Sequence, residues 1–398
     1  MELIHGTQAS NFAPQDFISN MPDKVVTNIL DRLPLPHAMR TSVLSRKWRF
    51  KWTMLSQLVF YDSYFWNLRK DENRLRVISR LLLHLRGPIT KFVLYIDDGL
   101  NVEDLNHWTM FLSRKGIKDL TIGKRNKPLV KLPTHLFTCL ELKHLKLSNW
   151  CIQLPTTFNG FPNLLSLELL QVNFESGKFE EFITLCPVLE ILKMSDLRSK
   201  VKPDDFAKLA NLKTLSLTTT PFSDIDEPIT ITSSSAIFEL LGFLPKLQEL
   251  QLSFPRCKFT EGGSKKRFPD AFPCLKSLIL YDVDVDSVIM VSCVFELIRH
   301  LPNLQTLIIL ACDQKKNCSP EVDYNTMGPL QLRSVMFNCL KGSENEVRLI
   351  KYLLACSPFL KKIEIYFQNS IKRHEQSMFA TKLLKIQRAY PEVDISLY

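Results

Sequence analysis

Apolar residues recur in one short pattern along most of the chain: an apolar residue, two residues, a second apolar residue, one residue, and a third apolar residue. The third apolar position of successive copies falls at residues 60, 94, 122, 147, 169, 194, 217, 252, 280, 309, 337, 365 and 395, so most steps span 22 to 30 residues. Alternation within each copy is typical of a β-strand. A fixed period in this range predicts a solenoid in which every copy adds one strand, and a solenoid offers an extended binding surface rather than a catalytic pocket.

Segments with helical spacing of apolar residues separate several of these strands. They cover residues 71–85, 101–114, 179–182, 237–244, 291–300 and 346–356. The repeating unit is therefore strand, loop and helix, which predicts an α/β leucine-rich-repeat solenoid with parallel strands on the concave face and helices or irregular turns on the convex face. Two polar insertions, Pro221–Ser235 and Thr260–Arg267, are predicted to form loops.

The chain before the repeats has a different pattern. Residues 1–15 are polar without a period and predict a disordered tail. Residues 16–55 predict three short helices: one opened by Met21 and Pro22, a second from about Pro36 to Leu44, and a third from about Ser45 through Trp52. So small a unit has a marginal core and needs a neighbouring domain or a partner.

Apolar residues of this unit are expected to lie along one edge, where a partner helix would dock. They are Pro22, Ile29, Leu33 and Leu35. The alternative is a plain helical cap for the first repeat, in which Trp48 and Trp52 pack on the solenoid. A basic cluster, Arg40, Arg46, Lys47, Arg49 and Lys51, either steers an acidic partner or forms a solvated face.

The order of residues in this unit resembles an F-box. The family pattern has Leu before the first Pro, and Met21 takes that place here. The resemblance implies docking of a Skp-family adaptor, and through it a cullin–RING ubiquitin ligase. The adaptor-binding residues that it implies are Met21, Pro22, Ile29, Leu33, Pro34, Leu35 and Arg40.

Residues 42–52, followed by Leu58, Val59 and Phe60, are similar to the plant F-box proteins that carry leucine-rich repeats and a C-terminal FBD region. Residues 330–337 and 353–360 carry the FBD part of the resemblance. The expected domains are an F-box at 16–55, leucine-rich repeats at 56–326 and an FBD region at 327–398 that continues the solenoid.

The residue between the second and third apolar positions of each copy is expected to point to the concave face. This row is mostly polar from residue 121 to residue 251 and turns apolar at Ile279, Ile308 and Met336. Neighbouring positions add Tyr281, Leu310 and Tyr366. An apolar and aromatic patch of this kind predicts the binding site of a target protein. Alternatively, the FBD segment or a loop covers the patch.

Composition and spacing exclude several other classes of function. The net charge of +10 is spread thinly and favours a mildly basic surface over nucleic-acid binding. The eight histidines and ten cysteines show no metal-ligand spacing, and nucleophile or phosphate-loop motifs do not occur. We therefore expect no catalytic residue, metal or cofactor.

The N-terminus lacks a signal-peptide pattern and no apolar run is long enough to span a membrane, so we expect free thiols in the cytoplasm or nucleus. The expected function is a non-catalytic substrate-recognition subunit of a ubiquitin ligase. Two alternatives stay open: a scaffold outside any ligase, or a receptor that needs a small ligand or inositol phosphate at basic concave positions such as Lys146 and Lys193.

Overall fold

The computed structural model describes residues 20–60, 71–96, 102–124, 129–199, 201–219, 234–253, 272–312, 329–368, 371 and 373–398. The predicted tail at 1–15, most of the loop predicted at 221–235, the loop predicted at 260–267 and the expected boundary at 326/327 lie outside these ranges.

Thirteen parallel strands of the described residues form one sheet, and their order in the sheet is their order in the chain. Each strand pairs with the strand of the next repeat, as expected for a solenoid in which every repeat contributes one strand. The strands are β1 Gln57–Phe60, β2 Lys91–Ile96, β3 Asp119–Lys124, β5 His144–Ser148, β7 Ser166–Leu170, β9 Ile191–Ser195, β10 Thr214–Thr218, β11 Glu249–Ser253, β12 Ser277–Val283, β13 Thr306–Ala311, β14 Ser334–Leu340, β15 Lys362–Phe367 and β16 Asp394–Leu397. Three short strands, β4 Val130–Lys131, β6 Trp150–Ile152 and β8 Asn173–Phe174, form a second small sheet.

Helices of the described residues precede the sheet or connect its strands. They are α1 Asp23–Leu30, α2 Leu35–Arg40, α3 Asp71–His84, α4 Val102–Arg114, α5 Phe179–Thr184, α6 Ser234–Phe243, α7 Val288–Arg299, α8 Glu344–Cys356 and α9 Arg373–Gln387. This architecture confirms the predicted α/β solenoid. Helix α9 was not predicted from the sequence, although its buried residues Phe379, Leu383 and Ile386 have helical spacing.

The apolar pattern produces the core because its residues stack in register from strand to strand. Leu278 pairs with Leu250 on one side and with Leu307 on the other, and all three side chains are buried. Each such leucine contributes about 1.5–3 kcal/mol through burial. The stack continues through the whole sheet, so each repeat covers the apolar face of its neighbours.

Phenylalanine rings fill the convex side of the shorter repeats, where long helices are replaced by single turns. The ring of Phe158 lies 4.9 Å from that of Phe137 and 5.0 Å from that of Phe161, centroid to centroid, in edge-on arrangements. Phe174 and Phe182 continue the cluster. Large aromatic side chains thus supply the buried area that a helix supplies elsewhere.

A left-handed residue lies near or just after the C-terminal end of the strand in five repeats, always two positions after the last apolar residue of the pattern. These residues are Asn149, Gln171, Asp196, Asp282 and Cys339, with φ between 50° and 64°. The turn directs the next side chain into the core, where Trp150, Val172, Leu197, Val283 and Leu340 are all at most 1% exposed. This feature sharpens the bend of the chain away from the concave face.

The predicted third helix of the N-terminal unit is wrong. Residues 41–43 and 51–54 form single 3₁₀ turns, with tight turns between them. Trp48 donates its backbone N–H to the carbonyl of Ser45 at 3.1 Å and accepts from Lys51 at 3.1 Å, which is the i to i+3 spacing of such turns. The tight winding buries Trp48 while its neighbours Lys47 and Arg49 stay exposed.

Candidate functional site

An exposed apolar stripe runs along helix α1 and into the turn after it. Val25, Ile29 and Leu33 follow one another at intervals of four residues and are 44%, 39% and 38% exposed. Val26 and Leu30, on a different face of the helix, are 1% and 0% exposed. The helix therefore buries one apolar face against its own chain and presents a second one to the outside.

The residues predicted to bind an adaptor divide into three groups. Pro22, Ile29, Leu33, Pro34 and Arg40 are exposed, and Met21 is half-buried against the core. The expected exposure of Leu35 is wrong: it is the first residue of α2, it lies one turn before the fully buried Ala38, and it is only 7% exposed.

Four further apolar residues of the N-terminal unit are exposed and were not predicted as binding residues. Val43, Leu44 and Phe50 are 83%, 64% and 61% exposed, and Val25 belongs to the stripe itself. Val25 could have been found from its spacing of four residues before Ile29. The other three lie in 3₁₀ and tight turns after α2, where the sequence predicts helices, so helical spacing could not indicate which side they face.

The other side of the N-terminal unit is attached to the repeats by polar contacts. The carboxylate of Asp31 accepts the backbone N–H of Ser56 at 2.9 Å and its hydroxyl at 2.6 Å. Arg86, after helix α3, donates its backbone N–H to the carbonyl of Thr53 at 2.9 Å.

Trp52 adds a ring contact to this attachment. Its ring lies 6.1 Å from that of His84, at the end of helix α3, while Trp48 is 4% exposed. The unit therefore caps the first repeat on one side and leaves the stripe open on the other.

The basic cluster of this unit is partly paired. Lys51 forms an ion pair with Asp23, and Lys47 donates to the side chain of Asn20 at 2.6 Å. Arg40, Arg46 and Arg49 are exposed. These three guanidinium groups extend the surface beside the stripe with positive charge.

The predicted concave row is a continuous line of paired residues across the sheet. Lys146 pairs with Glu168, which pairs with Lys193, and the line continues through Ser216 and Gln251. It then reaches Ile279, Ile308, Met336 and Glu364. The row predicted from the spacing of apolar residues is thus one physical line of side chains on one face.

Ion pairs satisfy the charged residues of this row. The Nζ atom of Lys146 lies 2.8 Å, and that of Lys193 3.7 Å, from the carboxylate of Glu168. Burial opposes ionisation of Glu168, but the two ammonium groups outweigh it and lower the pKa of this carboxyl. The hydrogen bond from Lys146 to Glu168 in turn raises the pKa of the Lys146 ammonium group. Both lysines predicted as a polyanion site already have an anionic partner.

Hydrogen bonds satisfy the next part of the row. Ser216 donates its hydroxyl to Oε1 of Gln251 at 3.1 Å, and Gln251 donates to Glu249 at 2.6 Å. A parallel chain runs beside it, in which Thr219 donates to Ser253 at 3.2 Å and Ser253 donates to Asp282 at 2.6 Å. The polar side chains named here on the concave face therefore form their hydrogen bonds and ion pairs with one another.

The apolar half begins at β12. Ile279, Ile308 and Met336 lie side by side on β12, β13 and β14 and are half-buried. Tyr281, Leu310 and Tyr366, the other residues predicted to bind a target, are also half-buried.

Two of these neighbouring residues have their positions set by local structure. The register of β12 and β13 shifts just after Leu280, so Tyr281 has no direct partner on β13, although it pairs with Ser253 on β11. The ring of Tyr366 stacks on Tyr398 with centroids 4.7 Å apart. One face of the Tyr366 ring is thus covered by the chain itself.

No cluster of three or more His, Cys, Asp or Glu side chains in the described ranges is placed to hold a metal ion. No helix among the described residues is long and apolar enough to cross a membrane. The cysteines within these ranges are free thiols, and burial raises the pKa of Cys139 and of Cys186 to about 12. Such thiols act as small buried apolar groups.

Two family descriptions match the chain. The F-box domain family matches residues 18–59, and the leucine-rich repeats of the FBD-associated F-box protein At5g56370 match residues 105–203. The first match contains the stripe, and the second contains the charged part of the concave row.

Two plant proteins are similar to the chain over most of their own length. The F-box/FBD/LRR-repeat protein At1g13570 of Arabidopsis thaliana is 32% identical over an alignment that covers 96% of this chain and 98% of that protein. The putative F-box/LRR-repeat protein At3g58880 of the same plant is 24% identical over 89% of this chain and 92% of its own length.

Among solved structures, an internalin of Listeria monocytogenes covers 82% of this chain with 13% identity and a TM-score of 0.37. The assignment of the solenoid rests on strand order and register instead. With a near-full-length relative above 30% identity and an F-box match at its N-terminus, the chain belongs to the F-box/FBD/LRR-repeat family.

Proposed function

We propose that the protein is the substrate-recognition subunit of a Skp–cullin–F-box ubiquitin ligase. The F-box match, the repeats and the relatives named as F-box proteins support an adaptor role in general. The observation that carries the proposal is the exposed stripe of Val25, Ile29 and Leu33 on a small helical unit whose other side is attached to the repeats.

In this proposal the stripe docks an apolar helix of a Skp-family adaptor. Pro22 and Pro34 flank the stripe, and Arg40 lies on the same exposed unit. The adaptor links the chain to a cullin–RING ligase, whose other subunits supply the ubiquitin-transfer chemistry. The repeats hold the target at a fixed place, which makes the transfer effectively intramolecular.

The proposed target site is the apolar half of the concave face. Ile279, Ile308 and Met336 form its centre, with Tyr281, Leu310 and Tyr366 beside them. The polar half offers less binding energy, because its lysines, glutamate and glutamine already have partners within the chain. Free thiols fit the cytoplasm or nucleus as the proposed location.

Co-purification with a Skp-family adaptor tests the first step. The wild-type chain is expected to bind, and a variant with Ile29→Asp and Leu33→Asp is expected to lose binding while its circular dichroism stays unchanged. The matched control carries Leu140→Asp and Val188→Asp, two exposed apolar residues of the repeats, and is expected to bind normally. No adaptor binding by the wild type would favour a scaffold outside any ligase.

The target site is tested separately. A variant with Ile308→Asp and Met336→Arg is expected to keep the adaptor and to lose the proteins that co-purify with the wild type. Lys193→Ala, on the polar half of the same row, is the control and is expected to retain them. Unchanged partners in the first variant would move the target site away from this patch.

A further inference from the structure

A groove lies between helices α8 (Glu344–Cys356) and α9 (Arg373–Gln387), at the C-terminal end of the solenoid. Its volume is about 720 Å³, which is in the range of pockets that bind ligands. Neither helix contributes to the concave row, so the groove is separate from the proposed target site.

The floor of the groove is apolar. Val347 and Ile386, one from each helix, are 4% and 6% exposed, and Tyr352 and Tyr390 extend this floor as half-buried rings. The ring of Tyr352 is fixed from below, because Phe295 of helix α7 contacts it edge-on at a centroid distance of 5.0 Å. An apolar side chain of a partner that binds here would contact residues that are already held in place, which lowers the entropic cost of binding.

The rim of the groove is basic on both sides. Arg348 and Lys351 line it from α8, and Lys382 and Lys385 line it from α9. Glu344 is the acidic residue of the lining, and it is already bound by Lys382 in an ion pair that lowers the pKa of its carboxyl. Neither Lys351 nor Lys385 forms an ion pair with a described residue, so the rim carries a clear excess of positive charge.

The apolar floor and the basic rim together indicate what kind of molecule the groove can bind. Positive charge on both helices with an apolar strip between them complements an amphipathic segment that has apolar residues on one face and acidic residues on both flanks. A polyphosphate or nucleic-acid strand would use the cations but would leave the apolar floor uncovered. A flat membrane surface would not reach the floor of a recess between two helices.

We propose that this groove docks an acidic amphipathic segment of a partner protein. Its apolar side chains would cover Val347 and Ile386, and its carboxylates would pair with Lys351 and Lys385. Ala355 and Ala389, at one end of the groove, are small and leave the entry open. The proposal goes beyond the ligase function and does not depend on it, because the F-box lies at the opposite end of the sheet.

Fluorescence anisotropy on the full chain tests the proposal. The probe is a labelled synthetic peptide of about 15 residues, roughly four helical turns, with Leu and Phe on one helical face and Glu elsewhere. It is expected to bind, and to bind more weakly as salt is added. A scrambled peptide of the same composition is expected to bind at least about tenfold more weakly.

Substitutions in the groove test whether the peptide binds there. Lys351→Glu with Lys385→Glu is expected to weaken binding of the probe by about tenfold or more, and Ala389→Trp is expected to weaken it by filling the groove without a change of charge. The control, Lys276→Glu with Lys361→Glu, reverses two exposed lysines elsewhere and is expected to have little effect.

Equal binding of the ordered and scrambled peptides would overturn the proposal, as would charge reversal without effect. Heparin and phosphatidylserine vesicles are measured in parallel. If either needs Lys351 and Lys385 while the peptide does not bind, the groove serves another class of partner and the proposal is wrong. All groove variants are expected to retain the Skp-family adaptor, so failure here is distinct from failure of the ligase function.

Discussion

The carboxylate of Asp31 holds Ser56 by two hydrogen bonds, one from the backbone N–H at 2.9 Å and one from the hydroxyl at 2.6 Å. Ser56 in turn accepts the backbone N–H of Thr90 at 2.8 Å through its carbonyl. One carboxylate at the end of helix α1 therefore connects the F-box to the first two strands of the repeats. This connection fixes the orientation of the stripe relative to the concave face.

Replacement of Asp31 is the direct test of this connection. Asp31→Ala is expected to lower the free energy of unfolding by about 2 kcal/mol, because hydrogen bonds to a charged acceptor are stronger than neutral ones. Urea unfolding measures the change, and limited proteolysis should show faster cleavage within residues 31–60. Ser56→Ala, which removes only the hydroxyl, is expected to have a smaller effect. Glu392→Ala, at an exposed carboxylate, should have none.

Two glycines are expected to respond to alanine in opposite directions. Gly160 has φ +102°, and a Cβ atom there would lie 2.2 Å from the carbonyl oxygen of Leu185. Gly160→Ala should therefore destabilise the protein by more than about 2 kcal/mol. Gly242, near the end of helix α6, has open space around it, so Gly242→Ala should stabilise by about 0.5–1 kcal/mol. Thermal unfolding of both variants gives the comparison.

The ion pairs on the concave face predict a dependence of stability on acid. The pKa of Glu168 is lowered from its usual value of 4.5, so the folded chain binds fewer protons there than the unfolded chain as the pH falls through this range. The stabilisation is complete above the usual pKa and is lost as the pH falls through the lowered value. Its size is at most about 1 kcal/mol, since the groups are partly exposed to solvent.

Glu168→Gln should remove this part of the pH dependence. The free energy of unfolding of the variant and the wild type, measured in urea at neutral and at acidic pH, should differ more at neutral pH. High salt should reduce the difference as well. An equal difference at both pH values would mean that Glu168 is not held ionised by Lys146 and Lys193.

Thiol reactivity should follow burial. Burial raises the pKa of Cys139 and Cys186 to about 12, so both remain thiols at neutral pH, whereas Cys274 and Cys339 are exposed to solvent. Iodoacetamide should modify the peptides containing Cys274 and Cys339 before those containing Cys139 and Cys186. Cys139 and Cys186 should react only in denaturant. Mass spectrometry of digests reads out the order, and early modification of Cys186 would contradict the packing described for it.

The repeated apolar pattern was sufficient to predict the sheet, because one strand per period leaves a single order in which neighbours can cover each other. It also placed Ile279, Ile308 and Met336 in one row, since alternation along a strand is strict. The left-handed residues such as Asn149 and Asp282 were not predicted. Three of the five are Asn or Asp, which adopt this conformation most readily, but Gln171 and Cys339 occupy the same position, so no single residue type marks the turn in one sequence.

The N-terminal unit was harder to predict because its helices are short. The period over residues 45–52 is compatible with an α-helix, yet burial of Trp48 is achieved by 3₁₀ turns instead. Leu35 illustrates the same difficulty: its apolar character fits either a docking surface or a core, and only the folded structure shows that it is buried with Ala38. The groove near Lys351 depends on how α8 and α9 meet in space, which no local pattern contains.

The thirteen parallel strands determine the length of the solenoid as well as its fold. Neighbouring strands lie about 4.8 Å apart, so the path along the sheet from the F-box to the last strand is about 60 Å. A repeat gained or lost in the middle would move the last strand by about 5 Å relative to the F-box without altering the residues at either end. The number of repeats thus sets the distance between the F-box and the C-terminal end of the solenoid.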